Sequence, residues 1–280
     1  MYDDVLVTTD GSSVATAACE HGLSLAEALE ARVHVLFAGG VEQTPPWRRP
    51  ATDWRSKGEE LVGDVERKGF DRGLEVETVV RDGRPVEEIL AYASRADVDA
   101  VVCGTHGRTG ARRFVAGSVA TAVIRDARVP VLTVNRSVTD PPDRYRDVLV
   151  ATDGRPGGQR AIDHAVELAS TFGSRLHALS VVDESETSLP SVIEAFENRA
   201  EAATSTVQRV ADGRDVPVTS VVERGSPARQ IVEYAADAPV DLVVMGTESR
   251  SGLERVAIGS CSQRVVPTAP VPVLTVRRLD

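Results

Sequence analysis

Two stretches of this 280-residue chain combine residue types suited to holding an anion. The first reads Gly104-Thr105-His106-Gly107, then nine residues, then Gly117-Ser118. Gly104 and Gly107 let backbone approach a ligand, and either tolerates a positive φ where a turn needs one. Gly117 and Ser118 open a predicted helix, whose first N–H groups lack intrahelical acceptors and whose dipole favours negative charge. The Ser118 hydroxyl can cap that helix or donate to a phosphate oxygen. Arg108, Arg112 and Arg113 lie in the intervening stretch, placed to screen polyphosphate charge. His106 sits inside the same loop, with phosphate contact and plain solvent exposure both open. Together these features suit a nucleoside triphosphate.

The second stretch, Gly246-Thr247-Glu248-Ser249, nine residues, then Gly259-Ser260, departs from the first at two positions. Ser249 adds a side chain where backbone should approach phosphate, and Glu248 puts a carboxylate where the first stretch has His106. Both changes oppose anion binding. They are harmless if the two side chains face solvent, since loop residues drift freely.

Other chemistries fit less well. No G-x-x-x-x-G-K-[ST] run occurs, and no G-x-G-x-x-G follows the first predicted strand. Ser12 and Ser13 lack a G-x-S-x-G elbow. Cys103 stands in an apolar strand without a base, as inert core cysteines do. Cys19, Cys103 and Cys261 have no metal-ligand spacing, and an odd count argues against a disulfide framework. His34 and His177 recur at matching positions, as do His21 and His164, but no half brings two histidines onto adjacent turns. A structural role therefore outweighs metal binding, and no metal ligand is assigned. Tyr92 and Tyr234 also match, and fit a helix face packed on a sheet. No general base is identifiable, so no catalytic residue is assigned.

The elements that must carry these residues follow from a whole-domain repeat. Val5-Leu6-Val7-Thr8-Thr9-Asp10-Gly11 recurs as Val148-Leu149-Val150-Ala151-Thr152-Asp153-Gly154, and Pro130–Val134 recurs as Pro272–Val276. Within the first half, short β-branched runs predict strands at Tyr2–Thr9, Val33–Ala38, Leu74–Arg81, Val98–Gly104 and Val129–Asn135. Helices are predicted after Ser12 or Ser13, over Trp54–Phe70, over Val86–Arg95 behind Pro85, and over Ser118–Asp126. Gly39–Asp53, with Pro45, Pro46 and Pro50, predicts a loop. Five strands alternating with helices make an α/β fold with a doubly wound parallel sheet in each half. Asn135–Tyr145 is the expected linker. Ligands of such sheets bind beyond the carboxyl ends of the strands, where the winding reverses. That favours a binding role for Asp10 over a mere turn before Gly-Ser.

Composition limits the partners. The formal charge is −10, with 22 acidic and 17 basic residues up to Asp140 and 20 and 15 beyond it. Each half is therefore −5, which disfavours nucleic acid. Thirty of the 32 basic residues are arginine, an acidic, lysine-poor pattern similar to proteins of salt-loving organisms, or of GC-rich genomes. No apolar run reaches membrane-spanning length and no signal peptide is visible, so a cytoplasmic location and no membrane partner are expected.

Each half resembles a universal stress protein domain, a family whose ATP-binding members carry G-2x-G-9x-G-[S/T]. Gly104, Gly107, Gly117 and Ser118 match that spacing throughout, and Val5–Gly11, Pro130–Val134 and the β/α order extend the resemblance along nearly the whole chain. The resemblance implies two such domains, 1–139 and 143–280, each an adenine nucleotide alpha hydrolase-like α/β fold with strand order 3-2-1-4-5. It implies ATP as cofactor, with Mg2+ left open. Asp10 would contact the adenosine end and the Ala38 backbone the adenine. Gly104, His106, Gly107, Arg108, Gly117 and Ser118 would surround the phosphates. Asp153, Val181, Gly246, Gly259 and Ser260 leave a weaker second site open. The family pairs through its last strand, which implies an intramolecular pseudo-dimer of the two halves and leaves a homodimer open. The leading expectation is an ATP-binding stress-response or regulatory protein. The alternatives are a slow ATPase or autophosphorylating enzyme, with Ser118 or Thr109 as acceptor, and a nucleotide-free interaction module.

Overall fold

The computed structural model describes residues 1–40, 53–105, 117–138, 140–183, 189–247 and 258–278. The chain forms two compact units, with the division after Arg136. Among the described residues no helix is long and apolar enough to cross a membrane.

The first unit runs β1 (Asp4–Thr9), α1 (Ser13–Leu29), β2 (Arg32–Gly40), α2 (Asp53–Asp71), β3 (Val76–Gly83), α3 (Pro85–Arg95), β4 (Ala100–Gly104), α4 (Ser118–Asp126) and β5 (Val131–Val134). Its sheet has the order β3-β2-β1-β4-β5, and its pairs are parallel. The winding reverses between β1 and β4, the strand order that the family resemblance implies. Val5, Leu6, Val7, Ala100, Val101 and Val102 are wholly buried because helices cover both faces of these central strands. Ser12 caps α1, its hydroxyl accepting from the Ala15 amide at 3.2 Å. The buried side of α1 runs through Val14, Ala18, Leu25 and Ala26, while Ala28 is exposed.

Several strand ends differ from the apolar runs. Gly39 and Gly40, expected in a loop, extend β2 and pair with Asp82 and Gly83. The rest of that predicted loop lies outside the described residues. β3 starts two residues late because Gly73 adopts φ +77° and the Leu74 amide returns to the Gly69 carbonyl at 3.0 Å. Leu74 is thus spent on the turn. Val98 likewise closes a turn onto Ala93 before β4 begins.

The second unit repeats the plan with β6 (Asp147–Ala151), α5 (Gln159–Phe172), β7 (Arg175–Val182), α6 (Pro190–Asp212), β8 (Val218–Arg224), α7 (Pro227–Asp237), β9 (Leu242–Gly246), α8 (Ser260–Val265) and β10 (Val273–Val276). Its order is β8-β7-β6-β9-β10, again parallel. One local difference precedes α5. A 3-10 turn at Pro156–Gly158 delays the helix to Gln159, six residues after Asp153, whereas α1 begins three residues after Asp10.

The amino ends of the central strands carry matching polar fastenings. The Asp99 carboxylate accepts from the Asp3 and Asp4 amides at 2.7 and 3.0 Å, and Asp241 does the same for Arg146 and Asp147 at 2.6 and 3.0 Å. Nearby, His34 joins Asp4 to Tyr92, and His177 joins Asp147 to Tyr234. These ends lie opposite the edge where the expected site residues gather.

Candidate functional site

Parallel strands put all their carboxyl ends on one edge, and in the first unit that edge carries Asp10, Ala38 and Gly104. Thr9 pairs with Phe37, which sets Asp10 level with Ala38 across the β1–β2 step. The chain turns sharply after β1 because Gly11 adopts φ +77°, which disfavours side chains. Asp10 stabilises that turn, its Oδ1 accepting from the Ser12 amide at 2.9 Å. Asp10 is thus a turn residue held half-buried at the mouth of the sheet.

Thr105 and Gly117 anchor the phosphate-type motif. The Thr105 amide donates to the Val134 carbonyl at 2.8 Å, and its own carbonyl accepts from the Gly117 amide. This corrects the expected donor set, because the Gly117 N–H is already engaged. The first-turn amides of Ser118, Val119 and Ala120 have no intrahelical acceptor, and among the described residues no side chain caps α4. With the exposed Ser118 hydroxyl they form a compact group of donors at the positive end of a helix dipole.

Neither Gly104 nor Gly117 uses a positive φ. A Cβ at Gly104 would lie 3.1 Å from the Ala15 nitrogen and the Val14 carbonyl carbon, so its smallness is needed where β4 ends beneath α1. Gly117 has φ −60° and ψ 156°, which any residue can adopt. His106, Gly107 and Arg108 lie outside the described residues, as do Arg112, Arg113, Glu248 and Ser249.

In the second unit the corresponding residues line one cleft of about 400 Å³. Asp153, Val181, Gly246, Gly259 and Ser260 all border it, a volume within the range of small-molecule sites, roughly 300–1,000 Å³. Thr247 and Gly259 repeat the anchoring bond at 2.8 Å. Arg155 and Arg264 also line the cleft, and the sequence comparison of glycine motifs did not single them out. Arg155 pairs with the Asp153 carboxylate at 3.3 Å, so that aspartate is partly neutralised. Pro227, Ala228 and Ile231 of α7 supply an apolar wall. The signal for it was present as Ser-Pro opening a helix directly after β8, but only the crossover brings that helix to the cleft.

Neither strand cysteine nor histidine pair competes for this role. Burial pushes the Cys103 thiol up to about 12, leaving it protonated beside Gly104. His34 and His177 each have both ring nitrogens hydrogen-bonded to protein groups. Among the described residues no group of three His, Cys, Asp or Glu side chains is arranged to hold a metal ion.

The family model described as "Universal stress protein family" matches residues 1–135 and again residues 144–277. The chain belongs to the universal stress protein family. A universal stress protein of Mycobacterium tuberculosis is 33% identical over 293 aligned positions, covering 98% of this chain and 97% of its own length. One from Methanocaldococcus jannaschii is 32% identical over 152 positions, covering 52% of this chain and 89% of its own. A universal stress protein structure from Archaeoglobus fulgidus matches the whole of both chains with a TM-score of 0.77 at 22% identity, a likeness of fold. The chain is thus a tandem of two universal stress protein units.

Proposed function

We propose that this universal stress protein is a stress-response or regulatory module that binds ATP, mainly in its first unit. One observation carries the reading. The carboxyl edge bearing Asp10, Ala38 and Gly104 meets the start of α4, which among the described residues has no side-chain cap and whose Ser118, Val119 and Ala120 amides lack intrahelical acceptors. Such a set of fixed donors suits phosphate oxygens, and Asp10 beside Ala38 suits the hydroxyl- and nitrogen-bearing nucleoside end. The first-half sequence adds Gly107, His106 and Arg108 with the complete glycine spacing. In the second unit the cleft leaves room for a weaker site, which Glu248 and Ser249 disfavour. ATP supplies recognition chemistry here. No residue is assigned to its hydrolysis.

The test is mass spectrometry of the nucleotide released from gently purified full-length protein, with its molar ratio to chain. About one adenine nucleotide per chain, reduced by Gly117→Val, is the expected result. An empty protein that also fails to take up ATP in calorimetry overturns the reading. ADP release in the presence of Mg2+ separates turnover from storage.

A further inference from the structure

β3 ends the sheet of the first unit: among the described residues it pairs only with β2. In a parallel pair, every second residue of a strand turns both its N–H and its C=O towards the partner. The Val33 amide donates to the Glu75 carbonyl at 2.9 Å, and Val33 is level with Val76. Glu77, Val79 and Arg81 therefore bond β2, while the backbone groups of Val76, Thr78, Val80 and Asp82 face the open edge. Such an edge is a template for another strand unless its side chains oppose the pairing.

A second copy of β3 can meet this edge antiparallel, about a two-fold axis. Bonds form only between outward residues, so Val76, Thr78, Val80 and Asp82 must face one another. Full overlap sets Val76 opposite Asp82 and Thr78 opposite Val80, each pair exchanging two backbone bonds. The residues between them meet in the non-bonded positions, where Cα atoms approach to about 4.5 Å. Glu77 then stands opposite Arg81 twice, and Val79 stands opposite itself. Opposite charges directly across such a pair are favourable, and like charges are not. Both groups are available for it. The Glu77 side chain is 58% exposed. Among the described residues Arg81 enters no ion pair, its guanidinium resting 5.9 Å from the Tyr92 ring centre. Within one strand the two are about 13 Å apart, too far to neutralise each other.

The edge of the second unit lacks this complementarity. β8 ends that sheet, with Thr219 and Glu223 where β3 has Glu77 and Arg81. The Leu176 amide donates to the Pro217 carbonyl at 2.8 Å, which leaves Val218, Ser220, Val222 and Arg224 as the outward residues. Two copies of β8 in full overlap set Thr219 against Glu223. β3 against β8 of another chain sets Glu77 against Glu223, a like-charge pair. That mixed contact leaves an open edge at each end and grows into a filament, whereas β3 against β3 closes on itself. The charges favour the closed form.

We propose that two copies of this chain associate through antiparallel pairing of β3, with reciprocal Glu77–Arg81 contacts about a two-fold axis at Val79. The family resemblance concerns pairing through the last strand of each unit, which is a different edge. On the other face of β3, Thr78 opposite Val80 adds a β-branched contact. None of the residues assigned to the nucleotide takes part, so association and ATP binding are separable.

The experiment is sedimentation equilibrium of the full-length protein at neutral pH and low salt, with circular dichroism as the check on folding. A dimer that weakens with added salt is expected. Arg81→Glu and Glu77→Arg should each weaken it by about tenfold or more, because either creates two like-charged pairs. The double variant Glu77→Arg with Arg81→Glu should restore it. Thr78→Pro removes an outward N–H, spares the bonds to β2 and should give monomer. In a Cys261→Ser background, Val79→Cys should oxidise in air to a covalent dimer. Glu77→Cys, about 13 Å from its counterpart, should not. A monomeric wild type overturns the proposal. So does a dimer indifferent to both charge reversals, and so does a Val79→Cys protein that fails to crosslink.

Discussion

Gly104 lies so close to the first turn of α1 that a Cβ would stand 3.1 Å from the Ala15 nitrogen, against 3.5 Å to the Gly157 carbonyl oxygen for one at Gly246. The two glycines hold matching motif positions but carry different packing constraints. The delayed start of α5, caused by the turn at Pro156–Gly158, gives the second unit its extra space. Gly104→Ala is therefore expected to destabilise the full-length protein by about 1–3 kcal/mol, the usual cost of overpacking. Gly246→Ala should fall within about 0.5 kcal/mol of wild type, because ordinary contact and reduced unfolded-state freedom nearly balance. Urea unfolding of both variants measures the difference, and equal losses would contradict the packing account.

Gly117→Val should fold and fail to hold nucleotide. Its φ of −60° and ψ of 156° suit valine, so the cost is that of a poorer helix cap, about 1 kcal/mol. The branched side chain stands beside the Ser118–Ala120 amides, where phosphate is proposed to bind. At least tenfold weaker ATP binding in calorimetry, with an intact circular dichroism spectrum, is the expected outcome. Wild-type affinity in the folded variant would remove the proposed phosphate position.

The second unit should gain affinity when its motif is restored. Glu248→His with Ser249→Gly removes one carboxylate and one side chain from the loop. At an effective dielectric of about 20, a carboxylate several ångströms from phosphate costs on the order of 1 kcal/mol or more, roughly tenfold in affinity. A second ATP per chain in calorimetric titration is the result to look for. Unchanged stoichiometry and affinity would count against the asymmetry.

Thiol labelling distinguishes the three cysteines. Burial pushes Cys19 and Cys103 up to about 12, so at pH 8 roughly one molecule in ten thousand presents a thiolate at either position. Cys261 is half-exposed at the start of α8. Iodoacetamide should modify Cys261 alone in the native protein and all three in urea. Rapid native labelling of Cys103 would mean that β4 opens readily.

Tyr92 should contribute to alkaline unfolding. Its folded-state value, about 12, lies above the usual 10, so the neutral form is favoured by folding. That contribution is complete below pH 10 and is lost as pH rises through about 12. Between pH 9 and 11.5, wild type should lose more stability than Tyr92→Phe in parallel urea titrations. Identical losses would assign the alkaline transition to other groups.

Much of the architecture was legible in the chain itself. Buried parallel strands need continuous β-branched runs, and helices between them need an apolar side, so the alternation in each half specified a doubly wound sheet. The repeat of Val5–Gly11 at Val148–Gly154 specified that this happens twice. Ser12, Pro85 and Ser118 marked helix starts correctly because capping and proline geometry are local properties, decided by a few neighbouring residues. Strand ends were less legible. Whether Leu74 or Gly40 belongs to a strand depends on which amide its neighbour can reach, and that is a pairing across space.

The same division runs through the sites. Composition and glycine spacing identified a motif suited to phosphate, but not that the Gly117 amide is already committed to Thr105 or that Gly104 is small for the sake of Ala15. His34, Tyr92 and Glu77 were visible as residue types, while their joining by hydrogen bonds was not. They are brought together from β2, α3 and β3, far apart in sequence, by crossovers that set strand register and helix placement. Local propensity determines which elements form. Hydrogen-bond competition in a buried space, where each donor must find an acceptor, is decided only once those elements have packed.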